Sequence, residues 1–237
     1  MGERMKTFMT CLLLAVLVAP GMSSTNAEPT VTADMKAVVD ANNAFAVDLF
    51  GKVRDSSGNV FFSPFSMSAA LAMTYAGADG TTSEQMAQTL HLSIKGDKLH
   101  NAFADLAMYL QDMQDKGKVQ LCMANSLWPH KEFPVSNDYT DLLRRDYDAT
   151  IMPVDYINET KGAGVQMNKW VEEKTKGKIV DMVPPGYFDR STRLVLIDAI
   201  YFKGKWAHEF KKERTSSAQF RMISGASVAA VVVPMMA

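Results

Sequence analysis

The sequence predicts an α+β domain, and three observations carry the prediction. Segments with helical spacing of apolar residues fill most of the stretch from Asp34 to Thr175. One segment, Val119 to Leu127, places Val119, Leu121, Met123, Asn125 and Leu127 at alternate positions, the period of a strand. A continuous apolar run from Leu194 to Phe202, followed by two short β-rich segments, supplies the rest of the sheet structure.

The elements follow in order. Asp34 to Val53 carries Val38, Val39, Ala46, Leu49, Phe50 and Val53 as one helical stripe. Asp55-Ser56-Ser57-Gly58-Asn59 is a turn, and Val60-Phe61-Phe62 reads as a short strand. Ser63-Pro64 has the form of an N-cap and first helical residue. The helix behind it, through Met67, Ala70, Leu71 and Tyr75, is almost wholly apolar or small and is expected to be buried on most sides. Gly77-Ala78-Asp79-Gly80 stops it, and Thr82-Ser83-Glu84-Gln85 reads as a capping box.

Leu99, Phe103, Leu106, Leu110 and Met113 mark a longer helix closed by Gly117. After the strand from Val119, Pro129 and Pro134 bound a loop, and Ser136-Asn137-Asp138 opens a short helix. Ile151 to Val154 has strand character. Glu159 to Thr175 is a helix with Met167, Trp170 and Val171 inward. Leu194 to Phe202 is apolar on both faces and is expected to be central in a covered sheet. Asp198 shares one face with Leu196 and Ile200, where a carboxylate is costly unless it is hydrogen-bonded. It reads as a polar anchor. Phe220 to Met222 and Val228 to Val233 form two further strands around a Ser-Gly turn.

The composition excludes several classes of function. Of 237 residues, 47% are hydrophobic and 22% charged, so the chain is neither a disordered tail nor a fibrous repeat. A net charge of −1 gives no bulk attraction to nucleic acid or to an anionic membrane. The basic segment Lys203 to Arg214 is interrupted by Glu209 and Glu213 and reads as a solvated face rather than a polyanion site, and Asp97 to Lys118 mixes acids with bases and gives no positive heparin signal. The four histidines, His91, His100, His130 and His208, have no metal-ligand spacing. No nucleophile elbow, phosphate loop or Cys pair is present, so neither an enzyme nor a cofactor is expected.

The first residues read as an address. Arg4 and Lys6 precede an apolar run from Phe8 to Ala19, and Thr25-Asn26-Ala27 has the small-x-small form of a cleavage site. Residues 1–27 are therefore expected to be a secretory signal peptide, and the protein extracellular. Cleavage there removes Cys11 and leaves Cys122 without an intrachain partner. Asn158-Glu159-Thr160 is a glycosylation sequon.

Six segments, taken together, resemble the serpin family. Asn59-Val60-Phe61-Phe62-Ser63-Pro64-Phe65-Ser66 is similar to its N-x-x-x-S-P-x-S signature, and Leu71 to Gly80 to the segment that follows. Ala124-Asn125-Ser126-Leu127-Trp128 resembles a third block. Asn168-Lys169-Trp170-Val171 with Thr175-Lys176-Gly177-Lys178-Ile179 resembles a fourth. Ile200 to Trp206 and Val233-Pro234-Met235-Met236 complete the set, in the family's order.

The resemblance implies N-terminal helices, part of the large central sheet A and the beginnings of a second sheet, so that residues 28–237 are an incomplete serpin domain. It implies inhibition of a serine protease: the protease cleaves an exposed reactive loop, which then inserts into sheet A and distorts the enzyme. Loop insertion of this kind is an established serpin example of strand addition and strain release and comes with the family. It assigns Ser63, Ser66 and Asp198 to the "shutter" beneath the insertion site and Trp206 to the "breach" at its top. The 159–175 helix lies across the sheet.

Two departures stand out. Members usually carry Asn at the position of Asp198, and an ionised Asp keeps the acceptors but loses both donors. The reactive loop and its scissile bond belong to a C-terminal portion that these residues do not contain, so this chain is expected to be inactive as a trap. The family's carriers and chaperone-like members supply the alternative, a non-inhibitory interaction protein.

Overall fold

The computed structural model describes residues 30–56, 59–117, 119–206, 208–221 and 227–232. The expected signal peptide lies outside them, as do Met222 and the closing Val233-Pro234-Met235-Met236. The described residues from Val31 onward belong to one compact unit.

Helix α1 (Ala33–Val53) opens on Thr32, whose hydroxyl accepts from the Met35 N–H at 3.1 Å. Its buried residues are Met35, Val38, Ala41 and Phe45. The stripe expected through Phe50 is therefore rotated: Phe50 is 52% exposed, because Phe45 one turn earlier takes the inward direction. Val60-Phe61-Phe62 is not a strand. It pairs with no described strand, and Phe61 is 99% exposed.

Helix α2 (Pro64–Tyr75) has Ser63 as N-cap and Pro64 at its first turn. Ser68, Ala69, Ala72, Met73 and Tyr75 are buried, which suits a helix of small residues in close contact on several sides. Helix α3 (Gly80–Thr89) begins earlier than the capping-box motif implies. Asp79 caps it, its carboxylate accepting from the Gly80 N–H at 2.7 Å. Helix α4 (Asp97–Lys116) ends at Gly117, where a Cβ would come within 2.5 Å of the Met113 carbonyl oxygen. Only glycine fits that close approach.

Strand β1 (Val119–Pro129) runs to α5 (Asn137–Tyr147), then the two-residue strand β2 (Thr150–Ile151), α6 (Thr160–Lys174) and β3 (Leu194–Gly204). A 3-10 turn, Lys212–Arg214, precedes the hairpin of β4 (Ser216–Arg221) and β5 (Ser227–Val232). In that basic segment Lys205 and Glu209 pair at 3.6 Å. The main sheet has the order β2-β1-β3, with β2 parallel and β3 antiparallel to β1. Strand β1, not β3, is thus central among the described residues. Strand β3 pairs with β1 alone, and its far edge meets no described strand.

The sheet separates two apolar layers. On one side, α1, α2, α4 and α5 close a core containing Val38, Met73, Leu99, Phe103, Leu127 and Leu143. On the other, α6 and the loop after it cover Trp128, Tyr156, Met167, Trp170, Val171 and Phe188. Each large side chain fully removed from water contributes about 1.5–3 kcal/mol. Trp128 and Trp170 meet edge to face at 6.3 Å, and the Trp128 Nε1–H donates to Ser126 Oγ at 2.8 Å. None of the described helices is long and apolar enough to cross a membrane.

Candidate functional site

The start of α2 lies against the middle of β3, and this junction holds the polar residues that the sequence singled out. Ser63, extended at φ −104°, ψ 109°, accepts from the Ser66 N–H at 3.3 Å. That bond orients the first turn of α2 and leaves the Ser66 hydroxyl free to reach the sheet. Ser66 Oγ–H donates to Asp198 Oδ1. Asp198 is half-buried, and burial pushes its carboxyl up to about 7 from the ordinary 3.8.

The antiparallel register sets Asn125 of β1 directly opposite Asp198. Opposed residues of such a pair share a face, so Asn125, Met123 and Leu127 point toward α2, α4 and α5 as Asp198 does. The Asn125 amide donates to the Tyr147 carbonyl at 2.9 Å. Its Oδ1 is buried with no hydrogen-bond partner among the described residues. Tyr147 ends α5, and its hydroxyl lies 2.7 Å from His100 Nδ1.

These groups form part of the wall of an open cleft of roughly 340 Å³ between α2, α4, the end of α5 and the sheet. Its lining is mostly apolar. Ser66, Asn125 and Asp198 form a polar patch beside the edge of β3 that meets no described strand. The patch can exchange hydrogen bonds and can gain or lose one proton. Among the described residues no cluster of His, Cys, Asp or Glu is arranged to hold a metal ion.

The structure thus brings Ser63, Ser66 and Asp198 together and leaves Trp206 apart. Trp206 is 68% exposed beyond the end of β3, packed edge to face on Phe210 at 5.5 Å. Asn158 is exposed in the turn before α6, its amide donating to Asp155 Oδ2 at 2.9 Å. The Lys131 ammonium, 2.8 Å from Asp155, and the Asn158 amide hold that carboxyl well below the usual carboxylate range. Asn125 lies in one of the serpin-like segments, and its part in this cluster emerges only with the strand register. One signal was available: Asn125 is the polar residue on a strand face that otherwise carries Met123 and Leu127.

Comparison with known proteins gives these contacts a context. The family profile described as serpin (serine protease inhibitor) matches residues 40–237. The leukocyte elastase inhibitor of Xenopus laevis is 40% identical over 190 residues, which is 79% of this chain and 50% of that protein. Iris of Ixodes ricinus is 40% identical over 182 residues, 75% of this chain and 47% of that protein. Among solved structures, emu ovalbumin superposes with a TM-score of 0.73 at 28% identity, over 82% of this chain and 54% of that one. Arabidopsis AtSerpin1 in its native stressed conformation gives 0.77 at 26% identity, over 86% of this chain and 52% of that one. The chain spans about half the length of the relatives it matches. With a profile match over most of its length and structural neighbours that share its helices and partial mixed sheet, the chain belongs to the serpin family.

Proposed function

We propose that the chain supplies the strand-accepting half of a secreted inhibitor of a serine protease, acting by loop insertion beside β3. The observation that carries the reading is the edge of β3 that meets no described strand, alongside a cleft with Ser66 and Asp198 in its wall. A strand edge presents a row of free N–H and C=O groups, and an extended segment can satisfy them. Ser63 and Ser66 would then govern how α2 follows β3 as the sheet opens, and Trp206 would lie at the top of the opening. Secretion is supported by the basic start, the apolar run and the Thr25-Asn26-Ala27 site.

The test is a denaturing gel of trypsin-like and elastase-like proteases mixed with two proteins. One is the 237-residue chain; the other is the same chain fused to the remaining half of the Xenopus laevis relative. The fusion is expected to yield a covalent band that survives denaturation, and the chain alone none. A fusion that is folded by circular dichroism yet gives no band, beside a relative that does, would overturn the inhibitory reading and favour a non-inhibitory interaction protein. A band from the chain alone would overturn the assignment of the bait to the other half. Secretion is tested by expression in eukaryotic cells and N-terminal sequencing of the medium, with Glu28 expected first.

A further inference from the structure

Asn125 Oδ1 is a buried acceptor to which no described residue donates. Its own amide nitrogen is committed to Tyr147, so the side chain cannot satisfy the oxygen by rotating without losing that bond. The residue opposite is Asp198, and directly opposed Cβ atoms of an antiparallel pair are only about 4.5–5.5 Å apart. On its other side Asp198 accepts from Ser66. A carboxylate would therefore turn a second acceptor toward an acceptor. A neutral carboxyl has one oxygen to accept from Ser66 and one O–H to donate to Asn125.

We propose that Asp198 is a protonation switch at the α2–β1–β3 junction: the neutral acid bridges Ser66 of α2 to Asn125 of β1, and the carboxylate still accepts from Ser66 but breaks the link to Asn125. The proton passes to and from solvent through the open cleft. An amide at this position would donate at every pH; the acid donates only while protonated.

The surrounding charges leave Asp198 free to play this part. Besides Asp198, the cleft walls from α2, α4, β1 and β3 contribute no charged or titratable group. The end of α5 contributes Arg145, Asp146 and Tyr147, with Asp148 just after it. Arg145 is closed on Asp146 through two hydrogen bonds of 2.7 Å. Tyr147, whose hydroxyl burial raises, stays neutral, and His100 behind it is kept neutral by burial. Lys174 of α6 lies over the Trp170 ring at 5.9 Å. Among the described residues no cation pairs with Asp198, and burial is the cause of its raised value. The inference rests on this geometry and does not depend on the inhibitor reading.

The experiment follows carboxyl protonation in the 237-residue chain by infrared difference spectroscopy between about pH 5 and pH 9. Chemical unfolding over the same range runs beside it for wild type, D198N and N125A. A neutral-range carboxyl titration is expected in wild type, absent from D198N and moved down by about one unit in N125A. The wild-type unfolding constant should rise across the range by at least tenfold more than that of D198N. A carboxyl that titrates below about pH 5, or one unmoved in N125A, overturns the bridge. Parallel unfolding curves for wild type and D198N overturn the switch. The wild-type spectrum and curve decide the matter even where a variant folds poorly.

Discussion

Tyr147 ties His100 to Asn125: its hydroxyl lies 2.7 Å from His100 Nδ1, and its carbonyl accepts from the Asn125 amide at 2.9 Å. The residue closes α5, and its ring packs on Phe103 of α4 at 5.7 Å. One residue, through its side chain on one hand and its backbone carbonyl on the other, thus links the helical core to the polar patch in the cleft wall. The position of Asn125 beside Asp198 depends on where α5 ends.

Tyr147→Phe keeps the ring and removes the hydroxyl. It leaves buried His100 Nδ1 without that partner, a loss of about 1–3 kcal/mol. The expected readout is a lower midpoint in urea with an unchanged slope. An unshifted midpoint would show that water replaces the hydroxyl freely.

His100 sets an acid limit. Burial lowers its pKa below the ordinary 6.5, so the unfolded chain binds the proton more readily than the folded one. Stability from this residue is present above about pH 6.5 and is lost as pH falls below it. Asp198 acts with the opposite sign, since its raised value makes the folded state hold the extra proton between about pH 4 and pH 7. The two partly cancel in wild type. Removing His100 leaves the Asp198 contribution unopposed, so the thermal midpoint of His100→Gln is expected to fall more steeply than that of wild type as pH rises from about 4 to 6.5. Coincident slopes would count against a buried neutral imidazole.

Ser63→Ala removes the N-cap of α2 and frees the Ser66 N–H. Caps of this kind contribute about 1 kcal/mol. Because the same bond orients the turn that carries Ser66, the variant is also expected to weaken the Ser66–Asp198 contact. Ser63→Asp, which can still cap, should restore most of the stability. Equal losses in both variants would mean that Ser63 does something other than cap.

What was legible in the sequence was whatever depends on local chemistry. Thr32 was not singled out, yet the apolar spacing after it placed α1 within one residue. Ser63-Pro64 placed the start of α2, and the alternation from Val119 placed β1. Misreadings came where a distant partner decides. Val60-Phe61-Phe62 has strand composition and no described strand to pair with. Leu194 to Phe202 is apolar on both faces, which argued for a central strand; that pattern does not reveal which neighbours the described chain supplies. The pairing of Asn125 with Asp198 is a matter of register across a separation of 73 positions, and no local signal encodes it. The capping-box motif at Thr82 lost to Asp79, which lies nearer the chain reversal at Gly77.

Trp128 tests the second layer. It is 1% exposed, donates to Ser126 and packs on Trp170. Trp128→Ala is expected to cost about 3–5 kcal/mol, because both the cavity and the orphaned Ser126 hydroxyl count against it. Trp128→Phe keeps much of the volume and should cost clearly less. Equal losses by calorimetry would mean that the hydrogen bond outweighs the packing.

The far edge of β3 is the chain's main liability for self-association. The strand has 11 residues, meets no described strand on that side, and exposes Leu194 at 41% and Phe202 at 66%. A long unpaired edge with apolar side chains recruits other strands, and charges placed on it deter them. Phe202→Lys adds a charge where little packing is lost, so its unfolding midpoint should stay within about 0.5 kcal/mol of wild type. Its rate of aggregation, followed by light scattering at fixed concentration, should fall several-fold. If the variant and wild type aggregate at the same rate, the seat of association lies elsewhere, with Phe61 at 99% exposure the next surface to charge.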